Sequence, residues 1–380
     1  MHSKEIAIYI HWPFCLSLCP YCDFNSHVES KIEHKEWALS YTKELEYFLP
    51  YIKNKKITSV FFGGGTPSLM NPSTISTILD FLSKNAILTA ETEITLEANP
   101  TSVESKKFID FKHAGINRLS LGIQSFIEKD LKLLGRKHSA DEAIEAIDIV
   151  SNCFENYSFD LIYARPNQTL DSWIKELKFA SQFSAIHVSL YQLTIEKGTP
   201  FFKLFKDGTL TLPDNEVSAD MYIHTNEIME SKGFSRYEIS NYAKPGFECI
   251  HNLNYWLYNN YLGIGPGAHS RVDGKAIMML HSPKKWMEQV DRLSNGVQKE
   301  TNLSESDIIN EIVMMGLRLK RGISRKEFFK KVGKNFEDCC DQNYLNMLIQ
   351  KELMGRSNDF YFLTDIGMNL HNYILSRLLP

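Results

Sequence analysis

The densest chemistry in the chain lies within eight residues near its start, where "CLSLCPYC" sets Cys15, Cys19 and Cys22 in a C-x3-C-x2-C row. Four roles compete for such a row. Disulfides suit a small secreted scaffold with an even cysteine count; this chain has 380 residues and seven cysteines, the other four (Cys153, Cys249, Cys339, Cys340) scattered. Structural zinc normally takes its ligands from two separated pairs, and no second C-x2-C exists. Plain core burial is disfavoured by the loop-forming Pro20 inside the row. An iron–sulfur cluster fits best, because thiolates are its usual ligands and three close ones can hold three irons of a cubane. The fourth iron then stays open to an exogenous ligand.

Something must hold that row in place. Over the first two thirds of the chain β-rich runs alternate with amphipathic stretches, and strands are predicted over 7–12, 59–65, 93–100, 118–124, 157–163 and 185–193. Trp37, Tyr41, Leu45 and Phe48 share one helical face, as do Ile75, Ile78, Leu79 and Leu82 behind an Asn71 cap with Pro72 at the first helical position. Another helix is expected from Asp214 to Lys232. Strand and helix in regular succession mean parallel pairing with crossover helices, so the fold class is α/β, either an open doubly wound sheet or a full or partial barrel. Both put chemistry at the carboxyl ends of the strands. The cysteine row follows the first strand there, and "FFGGGTPS" ends the second with three glycines that should supply positive φ and close backbone approach to a ligand. Glu97 closes the third strand, and Gln124, Arg136 and Asp160 lie at or just after later strand ends. From about Ser304 the chain reads as helices, a short hairpin and a last helix, a small winged-helix-like C-terminal domain.

Composition narrows the setting. A net charge of −4 gives the whole chain no electrostatic reason to seek nucleic acid. The N-terminus shows no apolar stretch followed by a small-residue cleavage site, and no segment reaches about 18 uncharged apolar residues. A reducing cytoplasm is the expected compartment.

The C-x3-C-x2-C row after the first strand, with Tyr21 before its last cysteine, resembles the signature of the radical S-adenosylmethionine superfamily. The resemblance implies a partial (β/α)6 TIM-like barrel carrying a 4Fe-4S cluster on Cys15, Cys19 and Cys22. It also implies that S-adenosylmethionine chelates the open iron and is reductively cleaved to a deoxyadenosyl radical. Gly64, Gly65 and Thr66 would meet the methionine end of that cofactor, and Glu97 would accept its ribose hydroxyls. Tyr9, Tyr21, Phe24, Gln124, Arg136 and Asp160 match, in order and spacing, residues lining the cofactor cavity of the branch related to oxygen-independent coproporphyrinogen oxidase. That match runs from about Ile6 to the C-terminus.

Within this branch the oxidase, HemN, decarboxylates porphyrinogen propionates, whereas the HemW group is regarded as heme chaperones. The enzyme has a further cysteine where this chain has Phe24, and an N-terminal extension where only fourteen residues precede Cys15. "HNLNYW", His251 to Trp256, reproduces the H-N-x-x-Y-W motif of the HemW group. His251 is therefore the candidate heme ligand, with Tyr255 and Trp256 as a stacking wall and Cys249 as a lesser alternative. The expected domains are a barrel over 1–235, a HemW-type linking region over 236–300 and the winged-helix-like domain over 301–380.

Two features stand apart from the motifs. The family commonly reads D-L-I-Y-G-L-P where this chain has "DLIYARP", and Arg165 is expected to point to solvent, or else to bind a propionate or a cofactor carboxylate. "LKRGISRKEFFKKVGK" carries seven basic residues and one acid, the pattern of a solvated helix, an anionic membrane face or a flavodoxin- or ferredoxin-type docking site. The resemblance further implies heme as cargo, a membrane respiratory enzyme as heme acceptor, a location at the inner membrane face and a cofactor-dependent homodimer.

Overall fold

The alternation of strands and amphipathic stretches folds, in a computed structural model that describes residues 4–379, around a twelve-stranded sheet. Residues 1–3 and 380, the outer ends of the expected domains, lie outside the described residues. Six parallel strands come first: Glu5–Trp12, Lys56–Gly64, Glu93–Ala98, Arg118–Gln124, Asn156–Tyr163 and His187–Gln192. Each coincides with a run predicted from sequence, its ends shifted by a few residues at most.

Helices His34–Tyr47, Pro72–Asn85, Phe108–His113, Ala140–Cys153 and Leu170–Ala180 make the crossovers. The predicted apolar stripes face inward: Trp37, Tyr41, Leu45 and Phe48 are buried, as are Ile75, Ile78, Leu79 and Leu82. Asn71 accepts a hydrogen bond from the Ser73 amide ahead of Pro72, and Asp214 caps helix Asn215–Ser231 through the Val217 amide.

Residues beyond the six strands extend the same sheet. Strand Tyr261–Ile264 pairs in parallel with the first strand, Ala7 opposite Tyr261, as a seventh parallel member. His269–Val272, Lys275–Met279 and Val297–Asn302 follow antiparallel on that side, and Asn241–Ala243 with Ser235–Arg236 extends the other. The two edge strands do not pair with each other, which leaves an open, partial barrel. The buried Glu44 carboxylate locks this edge to the first crossover helix by accepting from the amides of Gly265 (2.8 Å) and Gly296 (2.7 Å) and from Trp286 Nε1 (3.0 Å).

Helices Glu305–Gly316, Arg325–Val332 and Gln342–Gln350 and a three-stranded sheet of Ile323–Ser324, Phe360–Leu363 and Met354–Arg356 form the winged-helix-like C-terminal part. Among the described residues no helix is long and apolar enough to cross a membrane.

Candidate functional site

The cysteine row leaves the first strand in a loop pinned at both ends. Phe14–Cys15 pairs with His27–Val28, and the Cys22 amide closes a turn on the Cys19 carbonyl at 3.2 Å. The three thiols line a cavity of 370 Å³ at the carboxyl ends of the strands, together with Tyr21, Phe24, Gly64, Gly65, Thr66, Glu97, Gln124, Arg136 and Asp160. Every residue expected at the cluster or at S-adenosylmethionine, except Tyr9, is thus brought to one place.

No three His, Cys, Asp or Glu side chains among the described residues converge on a single ion. The three thiols line one cavity instead, and in a cluster each thiolate takes a different iron. The Thr66 hydroxyl reaches Cys15 Sγ at 3.4 Å, and Arg136 Nη1 reaches Cys19 Sγ at 3.6 Å. Burial raises the Cys15 thiol and pushes Cys22 up to about 11, so charge on sulfur requires a partner there.

The glycines act as expected in one place and otherwise in another. Gly64 has φ +113°, and its amide donates to Glu97 Oε2 at 3.3 Å. Gly65 instead makes room for the chain itself: a Cβ there would lie 2.7 Å from the Phe14 carbonyl oxygen, and the Gly65 amide donates to the Trp12 carbonyl at 2.7 Å.

The polar wall is tuned by burial. Glu97 is pushed up to about 8, first by desolvation and then by the Asp160 charge, and Asp160 itself rises to about 6 mainly through desolvation. Gln124, at φ +70°, lines the cavity, and its side-chain Oε1 is buried with no hydrogen-bond donor among the described residues. Such an orphaned acceptor suits a polar ligand. Asn99, which motif reasoning did not single out, joins this wall: its Nδ2 donates to Thr66 Oγ1 at 3.2 Å, and its Oδ1 accepts from Arg136. The available signal was its place two residues past Glu97, at the same strand end.

Tyr9 and His251 lie elsewhere. Tyr9 lines a second cavity, of 390 Å³, which shares Phe24, Gly64 and Glu97 with the first and adds His11, Asn25, Tyr255, Tyr261, His269 and His281. His251 is buried against the amino end of the barrel, stacked on Phe61 with ring centroids 4.8 Å apart. Its Nδ1 pairs with Ser59 Oγ at 2.8 Å and its Nε2 with Tyr255 Oη at 2.9 Å. Burial lowers it to about 3, so it is neutral with both nitrogens engaged. Its helix, Ile250–Trp256, is fixed by Glu93, whose carboxylate accepts from the amides of Ile250 and His251 at 3.1 Å each. Cys249 donates to the same carboxylate at 3.3 Å, and burial pushes its thiol up to about 12, so it is an inert interior group.

Arg165 corrects an expectation. It meets neither solvent nor the cavity: its guanidinium is fully buried and pairs with Glu176 and with Asp130 at 2.9 Å. A buried guanidinium needs such partners to offset its lost hydration. The basic C-terminal stretch is partly engaged: Arg325 pairs with Glu337 at 2.6 Å, Lys330 with Glu327 at 3.6 Å and Lys334 with Glu305, and Lys331 donates to the carbonyls of Leu257 and Tyr258. Those contacts engage four of its seven cations.

Known proteins resemble the chain over this whole architecture. The Radical SAM superfamily model matches residues 9–180, and that of the HemN C-terminal domain matches residues 303–370. Heme chaperone HemW of Escherichia coli (strain K12) is 34% identical over 98% of this chain and 98% of its own. "Radical S-adenosyl methionine domain-containing protein 1, mitochondrial" of Danio rerio is 38% identical over 86% of this chain and 76% of its own. The solved structure of coproporphyrinogen III oxidase (HemN) from Escherichia coli superposes with a TM-score of 0.83 at 21% identity, covering 99% of this chain and 90% of that one, a likeness of fold.

Proposed function

The chain belongs to the radical S-adenosylmethionine superfamily, in the branch that includes heme chaperone HemW, and on that premise we propose that it is itself a heme chaperone. In this reading Cys15, Cys19 and Cys22 hold a 4Fe-4S cluster. S-adenosylmethionine occupies the 370 Å³ cavity, with Gly64, Thr66, Glu97, Gln124, Arg136 and Asp160 around it. The observation that carries the cofactor assignment is that one cavity gathers three thiols, a fixed cation and the carboxylates of Glu97 and Asp160. When bound, the cluster supplies one-electron chemistry, while the residues of this chain orient the cofactor and keep the thiols out of bulk water.

The choice of chaperone over oxidase rests on Phe24, which stands where the oxidase pattern has a cysteine, and on likeness to HemW over the full chain. Heme would pass to an acceptor protein, in the cytoplasm or at the inner face of a membrane. Anaerobic reconstitution followed by incubation with coproporphyrinogen III, S-adenosylmethionine and a reductant tests the choice. The expected result is no protoporphyrinogen, with hemin bound at one per chain and released to an apo-hemoprotein. Steady turnover to protoporphyrinogen would replace the chaperone reading with the oxidase one.

A further inference from the structure

We infer that the heme seats in the second cavity and that its iron is taken by the imidazole pair His269 and His281, with His251 acting only as a positioning residue behind the wall. The inference rests on the proposed heme-carrying function and assigns its site.

The cavity measures 390 Å³, within the usual range of pockets for small molecules of cofactor size. Tyr9, Tyr255 and Tyr261 give it a broad aromatic lining for a flat macrocycle. His269 and His281 stand exposed at its rim, ring centroids 6.5 Å apart and planes at 77°, so both rings reach the same small volume. Among the described residues no hydrogen bond engages a ring nitrogen of either, so either can donate a lone pair to iron at no cost in existing bonds. Imidazole is a common axial ligand of heme iron. His251 differs on each count, being buried with both nitrogens bound to Ser59 and Tyr255. Ligation there would break one of those bonds and open the amino end of the barrel. What His251 does is hold the Tyr255 hydroxyl, and with it one side of the cavity.

The position also gives the two cavities a reason to communicate. Phe24, Gly64 and Glu97 belong to both, so a heme in the second cavity adjoins the cofactor in the first.

The test is hemin titration of the reconstituted full-length protein, followed at the Soret band, for the unmodified chain, His269→Ala/His281→Ala, His251→Ala and His113→Ala as a surface control. The double variant is expected to lose the low-spin Soret signature and to bind hemin more than about tenfold more weakly. It should keep its iron, sulfide and circular dichroism, since both side chains are exposed. His251→Ala and His113→Ala should keep the Soret position. Unchanged hemin affinity and Soret position in the double variant overturn this site and leave the chaperone proposal standing. If the unmodified chain shows no Soret band, the chaperone proposal and this site are both overturned.

Discussion

The side-chain amide of Asn25 donates to the main-chain carbonyl of His281 at 2.9 Å, fastening the loop of the three cysteines to the wall of the second cavity. A second bond from the same amide reaches the Pro266 carbonyl at 3.0 Å, and His11 Nε2 donates to the Asn25 carbonyl at 2.9 Å. Asn25 thus joins the thiol loop to the segment that carries His281. S-adenosylmethionine is expected to tighten hemin binding in the unmodified protein, by a coupling of about 1–3 kcal/mol. In Asn25→Ala that effect should shrink toward zero. An identical shift in both proteins, measured by hemin titration with and without S-adenosylmethionine, would remove Asn25 from the connection.

Cys19 shares its environment with Arg136, whose guanidinium lies 3.6 Å from the sulfur. Cys19→Ala is expected to abolish cluster reconstitution, read as iron and acid-labile sulfide per chain and as the broad visible absorption of the thiolate–iron bonds. Full iron and sulfide content in that variant would refute the cluster assignment.

Glu97 predicts a pH effect on the apoprotein. Its folded pKa of about 8 lies above the ordinary carboxylate value, so the fold favours the protonated form. The resulting stability is fully present below about pH 4 and is lost as pH rises through about 8. Glu97→Gln removes the charge and should gain about 1–2 kcal/mol over the unmodified apoprotein at pH 9, with little difference at pH 4; cavity water keeps the figure modest. Urea unfolding at the two pH values reads it, and a gain equal at both would contradict the burial argument.

Arg165 and Glu176 form a buried pair in which each needs the other. Arg165→Met leaves the buried Glu176 carboxylate with the Ser125 hydroxyl and the Phe126 amide but no counter-charge from Arg165, and is expected to cost about 3–5 kcal/mol. Adding Glu176→Gln should recover part of that loss. Additive losses in the double variant, by denaturant unfolding, would show that the pair is not the cause.

Ala164 is buried and its φ is +53°. A side chain in that left-handed region costs about 1–2 kcal/mol. Glycine also loses more chain entropy on folding, so Ala164→Gly should stabilise the protein by about 1 kcal/mol at most. A lower unfolding midpoint would mean that the alanine methyl packs better than its backbone angle suggests.

Local pattern was enough for much of this protein. The thiol row, the apolar alternation of six strands, the Asn71–Pro72 helix start and the carboxyl-end placement of Glu97, Gln124, Arg136 and Asp160 all follow from spacing within a few residues. A strand's period and a helix's stripe are written over such distances. Naming the candidates of the first cavity as cofactor residues took the further resemblance to the radical S-adenosylmethionine pattern.

What spacing could not carry was which distant segments meet. Tyr261 opposite Ala7, Asn25 bonded to His281 and Glu44 holding Gly265 and Gly296 are contacts across most of the chain, set by strand register and helix packing. Burial was hidden for the same reason. Arg165 read as a surface charge until Glu176 and Asp130 were placed beside it, and spacing alone did not show that Ser59 and Tyr255 take both nitrogens of the candidate heme ligand His251. The sequence by itself determined that three thiols and a set of strand-end polar groups would share one face. Only the tertiary structure decided that a second cavity lies beside them and that its open imidazoles belong to His269 and His281, because whether a side chain is free depends on neighbours that the chain supplies from far away.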